Sequence, residues 1–162
     1  METNKPILDV TCGGRMMWFN KRNSACLYVD HRDLPEVKLC DNRKFEVHPD
    51  LIADFRHLPF PDKAFKLIVF DPPHLTRVND TAYMAIKFER LTDDWQIVLH
   101  DGFRECMRVL DDYGTLIFKW SEIQVSTRDV ITAIGCQPLF GHISGRKMNT
   151  HWMTFMKGVS DV

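Results

Sequence analysis

Phe65-Lys-Leu-Ile-Val-Phe70, followed directly by Asp71-Pro72-Pro73-His74, is the stretch whose reading decides the fold. A short apolar run closed by prolines reads as a buried strand of a parallel sheet. Proline has no N–H and a fixed φ, so the strand stops there with a defined backbone. A main-chain carbonyl and the Asp71 carboxylate then stand side by side at the strand's carboxyl end. Open α/β sheets bind ligands in that crevice. Two adjacent acceptors suit a planar amino group, and the ring of His74 can lie against a flat base.

Working outward, Ile7, Leu8 and Val10 make a short buried strand ending near Asp9. Cys12-Gly13-Gly14 forms a tight turn that lets a ligand approach the backbone. Met16, Met17, Trp18 and Phe19 are expected to begin a helix whose free N–H groups meet a carboxylate. Ala25–Asp30 is a second strand, and Leu51–His57 a third that carries Asp54 and Phe55. Four strands therefore end in acids, at Asp9, Asp30, Asp54 and Asp71. Between them, residues 32–49 are expected to combine loop and a short helix.

Beyond His74, a loop leads to an expected helix over Thr81–Leu91. The clearest helix is Trp95–Leu110, where Trp95, Val98, Leu99, Phe103, Cys106, Met107 and Leu110 recur at three-to-four spacing. Thr115–Trp120 is a fifth strand. Ser126 caps a helix running to Ile134, with Gly135 past its end. Pro138–Ile143 and His151–Lys157 are two further strands. The pattern is one α/β domain over residues 1–162. Its sheet is doubly wound and mostly parallel, with a C-terminal antiparallel strand pair.

Composition narrows the function. A net charge of −1 argues against a strongly basic nucleic-acid coat, so any such contact comes from a local patch. The five cysteines form no C-x-x-C pair, and they read as buried thiols in a reducing cytoplasm. No 18-residue apolar stretch suggests a membrane span.

The segment Asp9-Val-Thr-Cys12-Gly13-Gly14 resembles motif I of class I S-adenosylmethionine (AdoMet) methyltransferases, in the form D-x-x-C-G-x-G. Arg15 stands where the last glycine usually sits. Asp71-Pro72-Pro73-His74 resembles the D-P-P-[YFW] motif of enzymes that methylate exocyclic amines of nucleic-acid bases, with His for the usual aromatic. The resemblance implies a Rossmann-like, seven-stranded sheet and S-adenosyl-L-methionine as cofactor, with no metal. It implies cofactor contacts from Asp9, Thr11, Cys12, Gly13 and Asp71. Asp30 would take the ribose hydroxyls, Asp54 the adenine amine, and Phe55 the adenine ring.

Asp71, Pro72, Pro73 and His74 would be catalytic, and His74, Lys119 and Trp120 would line the acceptor side. Arg146 and Lys147, in the loop before His151, are the candidate phosphate contacts. Arg15, Lys21, Arg22 and Arg77 join them if they share the crevice rim. The first acceptor is adenine N6 in DNA. RNA base amines, a small-molecule acceptor, and a non-catalytic AdoMet-fold binding module are the alternatives. The chain is short for a separate target-recognition domain, so sequence specificity is expected to be low or to come from a homodimer or a partner.

Overall fold

A computed structural model describes residues 3–39, 42–77 and 83–159, with the backbone alone at 83, 84 and 88. The described elements run β1 (Ile7–Asp9), β2 (Cys26–Asp30), β3 (Leu34–Lys38), β4 (Lys44–Val47), β5 (Leu51–Ile52), β6 (Phe65–Phe70), α1 (Tyr83–Phe88), α2 (Trp95–Val109), β7 (Leu110–Ser121), α3 (Thr127–Ile134), β8 (Phe140–Ser144) and β9 (Thr150–Met156). Seven strands form one sheet in the order β5-β2-β1-β6-β7-β9-β8. All neighbours are parallel except β9, which is antiparallel to both β7 and β8. The chain moves outward from β1 to one edge, returns to β6, and moves outward the other way. β1 and β6 therefore flank the switch point of the sheet.

The sheet has two unlike faces. Leu8, Ile68, Leu116 and Phe155 are aligned across β1, β6, β7 and β9. All four are fully buried. They share a core with Leu99, Phe103 and Cys106 of α2 and with Val130 and Ile134 of α3. Each such side chain contributes about 1.5–3 kcal/mol by leaving water. The opposite row, Ile7, Leu67, Thr115 and Met156, is only half-buried. α3 is bounded as its sequence suggests. Asp129 N–H donates to Ser126 Oγ (3.1 Å), and Gly135 takes a left-handed φ of 71°.

Four segments differ from expectation. The helix expected from Met16 is absent, and residues 11–25 are turns. Asn20 Oδ1 accepts from Arg22 N–H and Asn23 Oδ1 from Ala25 N–H, both at 3.0 Å. Such local bonds compete with a helix. Residues 32–49 hold a β-hairpin, β3–β4, where a loop and short helix were expected. Its driving pattern is Lys44-Phe45-Glu46-Val47, with Phe45 and Val47 buried and their neighbours exposed. The third strand is just Leu51–Ile52, because Asp54 Oδ1 accepts from Arg56 N–H (2.9 Å) and turns the chain. The helix expected over Thr81–Leu91 is described over Tyr83–Phe88. Residues 78–82 lie outside the described residues, as does Cys40. The other four cysteines are buried thiols. No helix among the described residues is long and apolar enough to cross a membrane.

Phe55 belongs to the core. It packs on Phe70 with ring centroids 5.2 Å apart. Gly102 of α2 makes room, since a Cβ there would run into the Phe55 ring. Phe55→Ala is therefore expected to cost about 3–5 kcal/mol, read as a lower urea midpoint. A loss below about 1 kcal/mol, the range of exposed sites, would place the ring outside the core.

Candidate functional site

The turns that follow β1 and β6 face one another across a cleft of about 580 Å³. Asp9, Thr11, Cys12 and Gly13 line it from one side, and Asp71, Pro72, Pro73 and His74 from the other. Lys119, Trp152, Arg32 and Glu89 complete its walls. Two bonds tie the turns together. Val10 N–H donates to Val69 O (3.1 Å), and Asp71 N–H donates to Thr11 Oγ1 (3.0 Å).

The turn after β1 has two left-handed residues, Gly13 (φ 46°) and Arg15 (φ 53°). Glycine adopts that conformation freely, whereas arginine meets a steric penalty of about 1–2 kcal/mol. Arg15 is compensated by its anchors. Its guanidinium donates to Lys21 O (2.9 Å) and His48 O (2.8 Å), pairs with Asp50 (3.2 Å), and lies 3.8 Å over the Tyr28 ring. The residue in the last glycine's place thus keeps the glycine's backbone shape. A Cβ on Gly14 would sit 3.0 Å from Phe45 Cε2, so the turn also accommodates the close approach of β4.

Asp9 is buried. It accepts from Trp18 Nε1–H (2.7 Å) and Thr11 N–H (3.3 Å). Burial pushes its pKa up to about 7, against these hydrogen bonds, and the nearby Asp71 and Asp30 charges add to the rise. Asp71 Oδ2 pairs with Lys119 Nζ at 2.6 Å. Lys119 Nζ also lies 5.8 Å from the centroid of the Trp152 ring. His74 is 7% exposed and sits edge-on to Trp120, with ring centroids 6.3 Å apart. Burial lowers its pKa, against the Asp71 charge and with that of Lys119, which favours the neutral ring. Burial holds the Cys12 thiol well above the ordinary range, so it offers no thiolate nucleophile near neutrality.

Other expected site residues lie elsewhere. Asp30 is behind the turn. It accepts from Gly13 N–H (2.9 Å) through Oδ2 and from Arg32 N–H (3.0 Å) through Oδ1. Arg32 Nε lies between Asp30 (3.1 Å) and Glu89 (2.9 Å). Asp54 pairs with Arg56 at 2.6 Å, and Phe55 is in the core. Trp120 is also in the core rather than on the crevice. Its indole N–H donates to Val125 O (3.0 Å). Adjacent strand residues point to opposite faces, so Lys119 and Trp120 cannot both reach the cleft. Arg146 and Lys147 are exposed in the turn between β8 and β9 and are not among the cleft's lining residues.

The sequence reading missed Trp18 as the partner of Asp9, and Lys119 as the partner of Asp71. Among the described residues one group, Asp30, His31 and Glu89, has ligand atoms within 4.8 Å of one another. Arg32 already supplies its counter-charge.

No protein-family model matches the chain, and no curated protein matches it significantly. Its fold is nonetheless shared. PH0226 protein from Pyrococcus horikoshii OT3 aligns with a TM-score of 0.58 at 14% identity, covering 93% of this chain and 81% of that one. The N-methyltransferase NodS from Bradyrhizobium japonicum WM9 aligns with a TM-score of 0.57 at 12% identity, covering 93% and 84%. The [4+2]-cyclase SpnF aligns with a TM-score of 0.53 at 13% identity, covering 97% and 76%. This chain has the Rossmann-like α/β fold of methyltransferases. The third name shows that the fold by itself leaves the reaction open.

The titration of Asp9 is measurable. An acid whose folded pKa of about 7 exceeds its ordinary 3.8 favours folding while protonated. Stability from this group therefore falls as pH rises from about 4 to about 7, by on the order of a few kcal/mol, and levels off above. Asp9→Asn keeps an acceptor for Trp18 and cannot ionise. Relative to the native chain it is expected to gain stability progressively from pH 5 to about 7 in urea titrations, and the gain then levels off. A pH-independent difference would refute the buried titration.

Proposed function

We propose that this chain transfers a methyl group from S-adenosyl-L-methionine to an exocyclic amine of a nucleic-acid base, with adenine N6 in DNA as the first acceptor. The observation that carries the reading is one cleft. It places the glycine turn after β1 opposite Asp71-Pro72-Pro73-His74, joined by the bond from Asp71 N–H to Thr11 Oγ1 (3.0 Å). Its volume of about 580 Å³ is in the range of cofactor sites. The donor set also fits. The Gly13 backbone is open to close approach, and the buried Asp9 carboxyl can meet a cationic group. Asp30 contributes by holding Gly13 N–H, and so the shape of the turn.

When bound, the cofactor supplies a methyl group on a positively charged sulfur. The protein's part is to hold and aim the acceptor. An exocyclic amine is a poor nucleophile because its lone pair is delocalised into the ring. Asp71 Oδ2 is committed to Lys119, which leaves Oδ1 to accept one amine N–H. The Pro72 carbonyl accepts the other. The two bonds favour a tetrahedral nitrogen and turn its lone pair towards the methyl. Pro72 and Pro73 keep that carbonyl fixed. The neutral His74, backed by Trp120, forms a wall for the base. Catalysis on this reading is positioning and electrostatics, without a covalent enzyme intermediate.

The test is tritiated-methyl transfer to DNA, RNA and nucleosides in parallel, followed by identification of the modified nucleoside. Asp71→Ala is expected to bind AdoMet as the native chain does, with turnover lower by about a hundredfold or more. Native turnover in that variant would make the Asp-Pro-Pro turn structural. Calorimetry that detects no AdoMet binding to the native chain would remove the whole reading.

A further inference from the structure

A second groove, of about 570 Å³, adjoins the cleft. It lies between the turn after β1 and the β3–β4 hairpin. Gly13, Gly14, Met16, Phe45 and Lys87 line both spaces, so the two are continuous. The groove's charge is unlike that of the chain. Among the described residues, its lining holds Arg15, Lys21, Arg22, Arg43, Lys44 and Lys87 together with Glu36 and Glu46, in a protein whose net charge is −1. Arg15 is committed to structure. Lys21 and Arg22 are exposed, and Lys44 has one exposed ion pair with Glu36 (2.8 Å), a contact of little strength in water.

Phe19 lines the cleft, directly precedes Asn20 and Lys21 in the chain, and is fully exposed. A bare aromatic ring beside a row of cations is the pairing that binds single-stranded nucleic acid. The cations follow the phosphates and the ring stacks on a base.

We infer that the groove is a phosphate track for single-stranded nucleic acid. The backbone runs along Lys21, Arg22, Arg43, Lys44 and Lys87. Phe19 stacks the neighbouring base, and the next base enters the cleft. The inference rests on the proposed base-amine acceptor and deepens it, since a base reacts only when it is out of a duplex stack. The β3–β4 hairpin and the turn after β1 would then hold the strand in register with the cleft. Arg146 and Lys147, expected from the sequence to touch phosphate, are not among the groove's lining residues.

Fluorescence anisotropy with labelled 12-mers of single-stranded DNA and RNA tests the track on the full chain. The K21E/R22E double variant is expected to bind about tenfold or more weakly at low salt, with the slope of log Kd against log salt reduced by roughly one to two. Phe19→Ala is expected to weaken binding by about fivefold or more and to leave that slope intact. R146E/K147E is expected to bind as the native chain does. The DNA and RNA arms identify the polymer by the tighter native complex.

Native affinity in K21E/R22E, no oligonucleotide binding by the native chain, or a larger loss in R146E/K147E would each overturn the track. AdoMet calorimetry and the thermal midpoint of K21E/R22E are expected to match the native chain, which separates the groove from the cleft and from misfolding. A native chain that binds AdoMet and methylates nucleosides while K21E/R22E keeps native oligonucleotide affinity would sink the track and leave the cleft reading standing.

Discussion

The placement of β1 beside β6 at the centre of the sheet is the constraint on which the site depends. Both strands are short and parallel, and both end at the same edge. Their following turns must then meet. The backbone of Asp71 cannot pair with β1, which has already ended at Asp9. Thr11 supplies the missing acceptor through its hydroxyl. An unsatisfied backbone N–H at a buried edge costs on the order of 1–3 kcal/mol, so this one side chain sets the spacing of the cleft.

Charge is handled differently on the two sides of that cleft. Asp71 is half-buried and meets Lys119 directly, with the Trp152 ring beside the ammonium. Among the described residues Asp9 has no cation in contact, and it is satisfied by two neutral N–H donors. At an interior dielectric near 20, an unpaired carboxylate loses several kcal/mol of available attraction. Burial raises the pKa of Asp9, the Asp71 and Asp30 charges add to the rise, and no ion pair offsets it. The site therefore presents one carboxylate with its counter-ion built in and one that lacks it.

Much of this was legible in the sequence, because the signals were local. The strand before Asp71, the periodic face of α2, and the Ser126 and Gly135 caps of α3 are patterns within a few residues. The Gly13 turn was legible for the same reason. What failed was set by distant partners or by competing turns. Phe55 joins the core because Gly102, far along the chain, leaves space for its ring. The β3–β4 hairpin shows four alternating residues inside a polar stretch, too few to outweigh composition. The helix expected at Met16 gave way to two asparagine turns and to Trp18, whose indole is drawn to Asp9. Lys119 and Trp120 were read together, although the two-residue period of a strand had already separated them.

A carboxyl group with a pKa of about 7 is also a proton store. In a neutral solution roughly half the molecules hold that proton at any moment. A positive charge settling beside Asp9 favours the bare carboxylate and expels the proton into the medium. The heat measured for such an event then includes the ionisation heat of whichever buffer takes the proton up. The same association, measured in phosphate and in Tris, should give two enthalpies and one affinity. The slope between them counts the net protons released on association, to which Asp9 contributes.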